Sequence, residues 1–356
     1  MRFNARSNQY HSESAHVTDP QLPLGFDTAD LPAVTGVKPN SRPKMRRTPA
    51  PQPVTVADVE VMATTLERNP DYRVLRRLVP ARHFDRSPQG PVIRILVLDT
   101  ETTGLDHSRD KIIELAMLRV DVDTTTGLPV GGVAVYDGLE DPGMNISKEI
   151  QGITGISTEM VRGQHLDEAR IAAMLDGADL VIAHNASFDR PFCEARIPAF
   201  AKLPWGCSFA DIDWKKEGQG SAKLTYLAME KGWFYDAHRA EMDCHALLAV
   251  LAEQLPISSQ SGLARIVAAS RVASYRLQAT NAPFEAKDLL KARAYRWNAD
   301  QKVWHTRLAD EAQLTAEFEW LKSAIYANRQ AHVQVEKLGA DVKYSAREGE
   351  LAIRQI

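Results

Sequence analysis

Two carboxylates, Asp99 and Glu101, stand at the end of an apolar stretch of the chain. Residues 92–98 are almost all apolar, which is typical of a strand covered on both faces. Side chains two positions apart in extended chain point to the same face, so these two carboxylates should lie side by side. Adjacent carboxylates repel unless a cation lies between them. The pattern therefore favours a divalent metal site over an ordinary strand followed by a Thr-Gly turn.

Two later segments of the chain carry further acidic residues, and the second also carries a histidine. Asp189 follows the apolar run 180–183 and would lie a few residues into the next helix, within reach of the first strand's end. Taken alone, Asp189 is more simply a first-turn acid favoured by the helix dipole. Asp243 lies on a helix whose other face is apolar, and His238 precedes that helix in a loop. A loop histidine is usually a surface residue, but beside a metal-held water it is a good general base.

In this order, the motifs resemble those of the DEDDh family of 3′-to-5′ exonucleases, which includes the epsilon proofreading subunit of bacterial DNA polymerase III. The matching elements are Asp-x-Glu at a strand end, His-Asn-x-x-Phe-Asp ending at Asp189, and His-x4-Asp ending at Asp243. Residues 150–154 are similar to the family's Ile-His-Gly-Ile-Thr element, with Gln151 where histidine is usual. The sister class places a tyrosine where this chain has Arg239, so the histidine subtype is indicated.

The resemblance implies a catalytic mechanism. Four carboxylates would hold two Mg²⁺ or Mn²⁺ ions about 4 Å apart, which suits hard oxygen ligands; they are Asp99, Glu101, Asp189 and Asp243. Asp99 would bridge the two ions. His238 would take the proton of the water that attacks the phosphodiester.

The resemblance also implies a pocket for the terminal nucleotide. Six residues occupy the matching positions: Thr102, Thr103, Leu105, His184, Asn185 and Phe188. Leu105 and Phe188 could contact the terminal base by apolar packing or stacking, which tolerates any nucleotide sequence. For Phe188, packing in the core is an equal alternative.

The elements that must position these residues predict an α/β protein. Strands come first and then alternate with helices, which indicates a mixed sheet with helices on its faces. For residues 91–256, the resemblance implies a ribonuclease H-like mixed five-stranded sheet flanked by helices. Residues 54–90 predict an N-terminal extension of two helices, the second one around residues 72–78.

Residues 271–356 predict a small α+β C-terminal module. This module resembles one found near primases and other plasmid or phage DNA enzymes. Trp297 and Trp304, with the basic residues around them, could form a nucleic-acid-binding surface of stacking and phosphate contacts. The alternative, that the two tryptophans make up the core of the module, is favoured, with the basic residues still available to DNA.

Residues 1–53 lack periodicity and predict a disordered tail. Within the tail, residues 21–26 are similar to the peptide with which bacterial polymerases and repair enzymes dock on the sliding clamp. The matching positions are Gln21, Leu22, Leu24 and Phe26. The alternative is a random apolar patch in a flexible segment.

Composition limits the function classes. The chain has 356 residues, 44% of them hydrophobic, and a formal net charge of −3, which argues against a protein that coats nucleic acid nonspecifically. The three cysteines have neither metal-type spacing nor a plausible disulfide framework. The N-terminus lacks an apolar signal core, and no stretch approaches the length of a membrane span. We therefore expect a cytoplasmic protein without a membrane partner.

The sequence as a whole predicts a metal-dependent 3′-to-5′ DNA exonuclease that proofreads, repairs or trims 3′ ends. An RNA-trimming exoribonuclease of the same fold is the first alternative. A nonenzymatic polymerase or nucleic-acid adaptor is the second, and the intact set of four carboxylates and a histidine argues against it. The clamp-like peptide and the primase-type module favour DNA.

Overall fold

The computed structural model describes residues 55–356 of the chain. The predicted tail, with Gln21, Leu22, Leu24 and Phe26, lies outside the described residues. Residues 56–356 form one compact unit. None of the helices described in this part of the chain combines the length and the apolar character needed to cross a bilayer.

Helices and strands alternate along the described chain. Its α-helices are α1 (Val56–Glu67), α2 (Lys148–Thr154), α3 (Thr158–Val161), α4 (Glu168–Leu175), α5 (Ala186–Arg196), α6 (Ser208–Asp211), α7 (Leu224–Glu230), α8 (Ala240–Ala252), α9 (Gly262–Ser270), α10 (Lys287–Ala292) and α11 (Glu311–Trp320). Its strands are β1 (Arg76–Arg77), β2 (His83–Phe84), β3 (Val92–Thr102), β4 (Ile112–Asp123), β5 (Leu128–Leu139), β6 (Leu180–Ala183), β7 (Trp205–Cys207), β8 (Trp233–Phe234), β9 (Ser274–Ala279), β10 (Arg296–Asn298), β11 (Val303–Leu308), β12 (His332–Leu338) and β13 (Glu350–Gln355).

The larger sheet has the strand order β2-β5-β4-β3-β6-β7. Strands β3, β4 and β5 pair antiparallel, whereas β6 and β7 run parallel to β3. The mixed sheet of β3 to β7 confirms the predicted ribonuclease H-like architecture. A sixth strand, the two-residue β2, extends the β5 edge and was not predicted.

Strand β3 lies at the centre of this sheet and is covered by helices on both faces. Ile95 and Val97 belong to the core cluster that contains residues of α7, α8 and α9. Leu96 and Leu98 belong to a second cluster with residues of α4 and α5. Because side chains alternate along a strand, positions 99 and 101 continue the face covered by α8. The strand therefore directs both carboxylates towards that helix.

The N-terminal extension differs from its prediction. Helix α1 is present, but the second predicted helix around residues 72–78 is wrong. The chain there forms β1, which pairs parallel with β8. The backbone N–H of Arg76 donates to the Gly232 carbonyl, and that of Leu78 donates to the Phe234 carbonyl. Pairing with a distant segment overrides the local helical spacing, which is a weak determinant by itself.

The C-terminal module is built on an antiparallel sheet with the strand order β10-β11-β9-β12-β13. The predicted α+β character is confirmed. The favoured interpretation, in which Trp297 and Trp304 make up the core of the module, is wrong. Trp297 is 50% exposed, and the buried core contains Leu277, Leu290 and Leu321 among others. Aliphatic residues and tyrosines fill the core, Trp304 packs against it, and Trp297 stays accessible.

The C-terminal module contacts helix α5. The fully buried Arg190 guanidinium donates to the carbonyl oxygens of Asp341 and Lys343. The Lys343 ammonium forms an ion pair with Asp211 at 3.2 Å, with both side chains almost completely buried. These contacts compensate the positive charges of Arg190 and Lys343, whose burial without a partner would be costly. The turn around residues 341–345 therefore packs against and stabilises α5, the helix that carries Asp189.

Candidate active site

Three of the predicted carboxylates converge at the end of β3. Each of Asp99, Glu101 and Asp243 offers an oxygen atom, and these oxygens all lie within 4.8 Å of one another. The first two lie on the strand face that α8 covers, and Asp243 lies in the first turn of that helix. A bulge in the pairing of β3 with β4 falls directly after Glu101. The geometry thus brings three acidic groups into one cluster.

Asp189 approaches the cluster from α5. Strand β6 ends at Ala183, opposite Leu98, and beyond that point the Asp189 carboxylate accepts hydrogen bonds from Thr100. The Thr100 backbone N–H and hydroxyl lie 3.1 Å and 2.8 Å from Asp189 Oδ1. Both bonds use the same carboxylate oxygen. Asp189 is therefore fixed to the neighbouring residue of the strand and is not one of the three grouped residues.

Burial, together with neighbouring carboxylates at three of the four positions, raises the pKa values of the four acidic residues. Burial, followed by the charges of Asp189 and Asp243, raises the pKa of Asp99 well above its usual value. Burial and the nearby Asp243 and Glu114 raise the pKa of Glu101 to about 8. Burial also raises the pKa values of Asp243 and, to about 7, of Asp189. Such a cluster holds protons or a cation, because several buried carboxylates cannot all ionise side by side.

His238 lies in an exposed loop immediately before α8. Its backbone has φ of 64°, in the left-handed region that non-glycine residues seldom adopt. Its N–H donates to Asp243 Oδ2 at 2.7 Å, and the Tyr235 hydroxyl donates to Asp243 Oδ1 at 2.9 Å. The same carboxylate therefore belongs to the acidic cluster and fixes the loop that carries the histidine.

Glu114 is a site residue that the sequence prediction missed. It lies on β4 opposite Glu101, is fully buried, and accepts hydrogen bonds from the Arg239 guanidinium, the shorter one at 2.8 Å. Its second oxygen accepts the backbone N–H of Ala240 at 2.9 Å. The signal was available, since Glu114 is the one charged residue among the apolar residues 112–118, where an unpaired charge is costly.

The N-terminal extension supports the same loop from the other side. Besides the pairing of β1 with β8, the Arg77 guanidinium forms an ion pair with Asp236 at 2.9 Å and lies 4.9 Å from the centre of the Phe234 ring. Arg82 forms an ion pair with Glu241, in the first turn of α8, at 3.0 Å. Residues far apart in sequence thus fix both ends of the histidine loop.

The comparisons with known proteins agree with this geometry. The exonuclease (RNase_T) family model matches residues 96–251. We refer to these residues as the exonuclease domain, after the family that they match. The cluster and the histidine lie wholly within this match.

Two curated relatives are similar to part of the chain. The DNA polymerase III PolC-type of Thermotoga maritima is 33% identical over 120 residues, which are 33% of this chain and 8% of the polymerase. The same type of polymerase from Listeria welshimeri is 36% identical over 101 residues, which are 27% of this chain and 6% of the polymerase. The chain thus spans less than a tenth of the length of these relatives.

Two solved structures are similar to parts of the chain. Exonuclease X in complex with 5′ overhanging duplex DNA is 23% identical, with a TM-score of 0.35, over 48% of this chain and 99% of that one. E. coli exonuclease I in complex with a dA16 oligonucleotide is 17% identical, with a TM-score of 0.36, over 52% of this chain and 48% of that one.

The end of β3 and the loop that follows it contain three of the predicted nucleotide-binding residues. The Thr102 hydroxyl donates to the Gly104 carbonyl at 2.6 Å. The Thr103 hydroxyl donates to Asp110 and accepts the N–H of Lys111. Both threonine side chains therefore shape the loop. Leu105 is 86% exposed, which leaves its side chain available for contact with a ligand.

The remaining three predicted residues lie around the start of α5. His184 Nδ1 lies 2.7 Å from the Ser208 hydroxyl, and burial lowers the pKa of His184 to about 4, so its ring is neutral and fixed. Asn185 is the exposed N-cap residue of α5, with φ of 69°. The Phe188 ring packs 5.1 Å from that of Phe192 and remains half-buried. Substrate contact by these residues stays a prediction.

Proposed function

We propose that this protein is a metal-dependent 3′-to-5′ exonuclease that removes nucleoside monophosphates from the 3′ ends of DNA. The observation that carries this proposal is the grouping of Asp99, Glu101 and Asp243 within 4.8 Å, with the His238 loop bonded to Asp243. The match of residues 96–251 to the exonuclease family supports the reaction class.

The residues of the cluster fit divalent metal ions. Carboxylate oxygens are the ligands that Mg²⁺ and Mn²⁺ prefer, and the grouped atoms include no sulfur or imidazole nitrogen. We assign Asp99, Glu101, Asp189 and Asp243 as the ligands of two such ions. When bound, these ions would stabilise both the attacking and the leaving oxygen of the phosphodiester. Their positive charge would also offset the repulsion that raises the pKa values of the carboxylates.

His238 is assigned as the general base. Its loop is exposed, so the ring can approach a water molecule at the scissile phosphate, and the bond from its backbone N–H to Asp243 holds the loop next to the cluster. The Glu114–Arg239 ion pair and the Tyr235 hydroxyl hold the loop in place. Leu105 packs against the terminal nucleotide in this assignment, where apolar contact accepts any base.

DNA is favoured over RNA by the curated relatives, which are DNA polymerases. The test is a time course with single-stranded DNA and RNA of one sequence, each labelled at the 5′ end, with and without Mg²⁺. We expect a ladder that shortens from the 3′ end, faster for DNA and absent without the metal. Faster loss of RNA would contradict the assigned substrate. Equal cleavage by wild-type protein and the Asp99→Asn variant would contradict the assigned site.

We also propose that the tail docks on the sliding clamp through Gln21, Leu22, Leu24 and Phe26. The sequence of this segment is the support, since a short extended peptide offers apolar anchors to a groove. A pull-down of purified clamp should lose most of its signal when Leu24 and Phe26 are both changed to Ala. Val17→Ala with Leu31→Ala, in the same tail, is the matched control. Unchanged capture by the Leu24/Phe26 variant would rule the peptide out.

A further inference from the structure

A crevice of about 620 Å³ lies where the C-terminal module meets the exonuclease domain. One wall contains α6, the chain that follows it, and residues of α9. The other wall contains the end of β11 and the start of α11. No residue of the acidic cluster lines this crevice. The space is therefore distinct from the proposed metal site.

The crevice has an excess of uncompensated positive charge. Five basic and three acidic side chains line it, and two of the acids, Asp211 and Asp213, form ion pairs with Lys343 and Lys216. The third acid, Asp310, caps α11 by accepting the Gln313 N–H at 2.8 Å. In the part of the chain that the structure describes, three basic residues of the crevice form no ion pair within 4.0 Å: Lys215, Arg265 and Arg307.

Arg307 projects from β11 into this space. The residue is exposed and lies opposite Arg276 in the pairing of β11 with β9, and Arg276 is itself paired with Glu336. Its side-chain hydrogen bond to the exonuclease domain is a long one, 3.3 Å to the Ser187 hydroxyl. A cation held beside another cation without a carboxylate partner is stabilised by a bound anion.

Arg307 connects the crevice to the helix that carries Asp189. Ser187, the partner of Arg307, lies in the first turn of α5. Phe209 also lines the crevice, is 51% exposed, and packs edge-to-face against His184 with ring centres 5.8 Å apart. An exposed aromatic ring beside unpaired cations is the combination that binds single strands, through base stacking and phosphate contacts.

We propose that this crevice binds the single strand of the substrate on the 5′ side of its terminal nucleotide. Arg307, Arg265 and Lys215 contact phosphates, and Phe209 stacks with a base. The C-terminal module thereby supplies one side of the path for the strand. The inference rests on the proposed exonuclease function, because the strand must enter the site from its 3′ end.

The test compares two substrates that differ in length. The 5′-p-nitrophenyl ester of thymidine monophosphate presents a scissile bond without a preceding strand, whereas a labelled oligothymidylate also fills the crevice. In the double variant Arg307→Gln with Arg265→Gln, we expect KM for the oligothymidylate to rise at least about tenfold and ester turnover to change less than about twofold. The slope of log KM against log salt should fall by about 1.4, at about 0.7 for each lost phosphate contact in a single strand.

The matched control is Lys322→Gln with Arg329→Gln, which removes the same charge from exposed positions of the same module outside the crevice. The control should leave KM and the salt slope unchanged. An unchanged KM in the crevice variant, or an equal loss on both substrates, would overturn the proposal.

A binding measurement separates this proposal from the catalytic one. Fluorescence anisotropy of the labelled oligothymidylate, in the presence of a chelator, should show weaker binding by the crevice variant than by wild type and control. Wild-type protein that hydrolyses neither substrate contradicts the proposed function, yet selective loss of binding would still support the crevice. Equal binding by all three proteins would overturn the crevice proposal.

Discussion

The strand end with Asp99 and Glu101 and the loop with His238 meet at one site but are held by different means. Strand β3 is hydrogen-bonded to neighbours on both sides and packed on both faces, so its carboxylates have little freedom. The histidine loop is exposed, has a left-handed backbone at position 238, and depends on bonds from β1, β4 and α8. The local pattern of apolar residues therefore determines the position of the carboxylates on β3. Contacts with residues far away in the sequence determine the position of the histidine loop.

The largest expected effect follows from loss of a carboxylate. Glu101→Gln and Asp189→Asn each should lower kcat by roughly a thousandfold, because a metal ligand contributes several kcal/mol of transition-state stabilisation. The measurement is release of a 3′-terminal label under saturating Mg²⁺. Asp85→Asn, whose side chain is 97% exposed, is the matched control and should be fully active. Activity of Glu101→Gln near that of the control would remove this residue from the site.

Loss of the base should be the next largest effect. His238→Asn should lower kcat by about 10²- to 10⁴-fold, the usual contribution of a general base. Asn tolerates the left-handed backbone of this position, so the change removes the base with little strain. His83→Ala, at an exposed position of β2, is the control. If the two variants had equal kcat, His238 would not be the base.

The contrast between the two halves explains what the sequence could predict. The apolar run before Asp99 and the spacing of the carboxylates sufficed for the mixed sheet and the acidic cluster. The sequence did not predict β1, because its partner β8 is more than a hundred residues away and local spacing indicated a helix. For the same reason it missed the role of Glu114, which becomes a site residue only when Arg239 and Ala240 fold against it.

Breaking the Glu114–Arg239 ion pair tests how the loop is held. Glu114→Gln should lower kcat roughly ten- to a hundredfold, because small displacements of a catalytic group are costly. Arg239→Gln combined with Glu114→Gln should be no worse than Glu114→Gln alone, since both changes remove one interaction. kcat of the two single variants and the double variant, measured with the same DNA, completes the cycle. Additive losses would show that the two residues act separately.

The smallest effect on kcat is expected from loss of the Arg77–Asp236 ion pair, which links β1 to the histidine loop. Arg77→Ala removes an ion pair whose two side chains are 59% and 76% exposed, and such surface pairs contribute about 0–1 kcal/mol. We expect kcat to change less than about twofold and the free energy of unfolding, from urea titration, to fall within that range. A loss as large as that of Glu114→Gln would show that β1 holds the loop as strongly as β4 does.

If the acidic cluster is a divalent metal site, the stability of the fold should depend on pH with a definite sign. In the metal-free protein the pKa values of Glu101 and Asp189 are raised from 4.5 to about 8 and from 3.8 to about 7. The folded state therefore binds more protons than the unfolded chain over this range, so its stability falls as the pH rises from about 4.5 to about 8. Metal ions replace these protons, so Mg²⁺ should stabilise the fold more at the upper end of the range.

The most direct measurement is the Tm of wild type and Asp99→Asn across this pH range, with a chelator and with saturating Mg²⁺. We predict that wild-type Tm falls with pH in the chelator and that Mg²⁺ restores it near pH 8. Asp99→Asn, with one charge fewer in the cluster, should have a higher Tm than wild type in the chelator and gain little from Mg²⁺. Equal gains from Mg²⁺ in the two proteins, or no gain in wild type, would contradict the account.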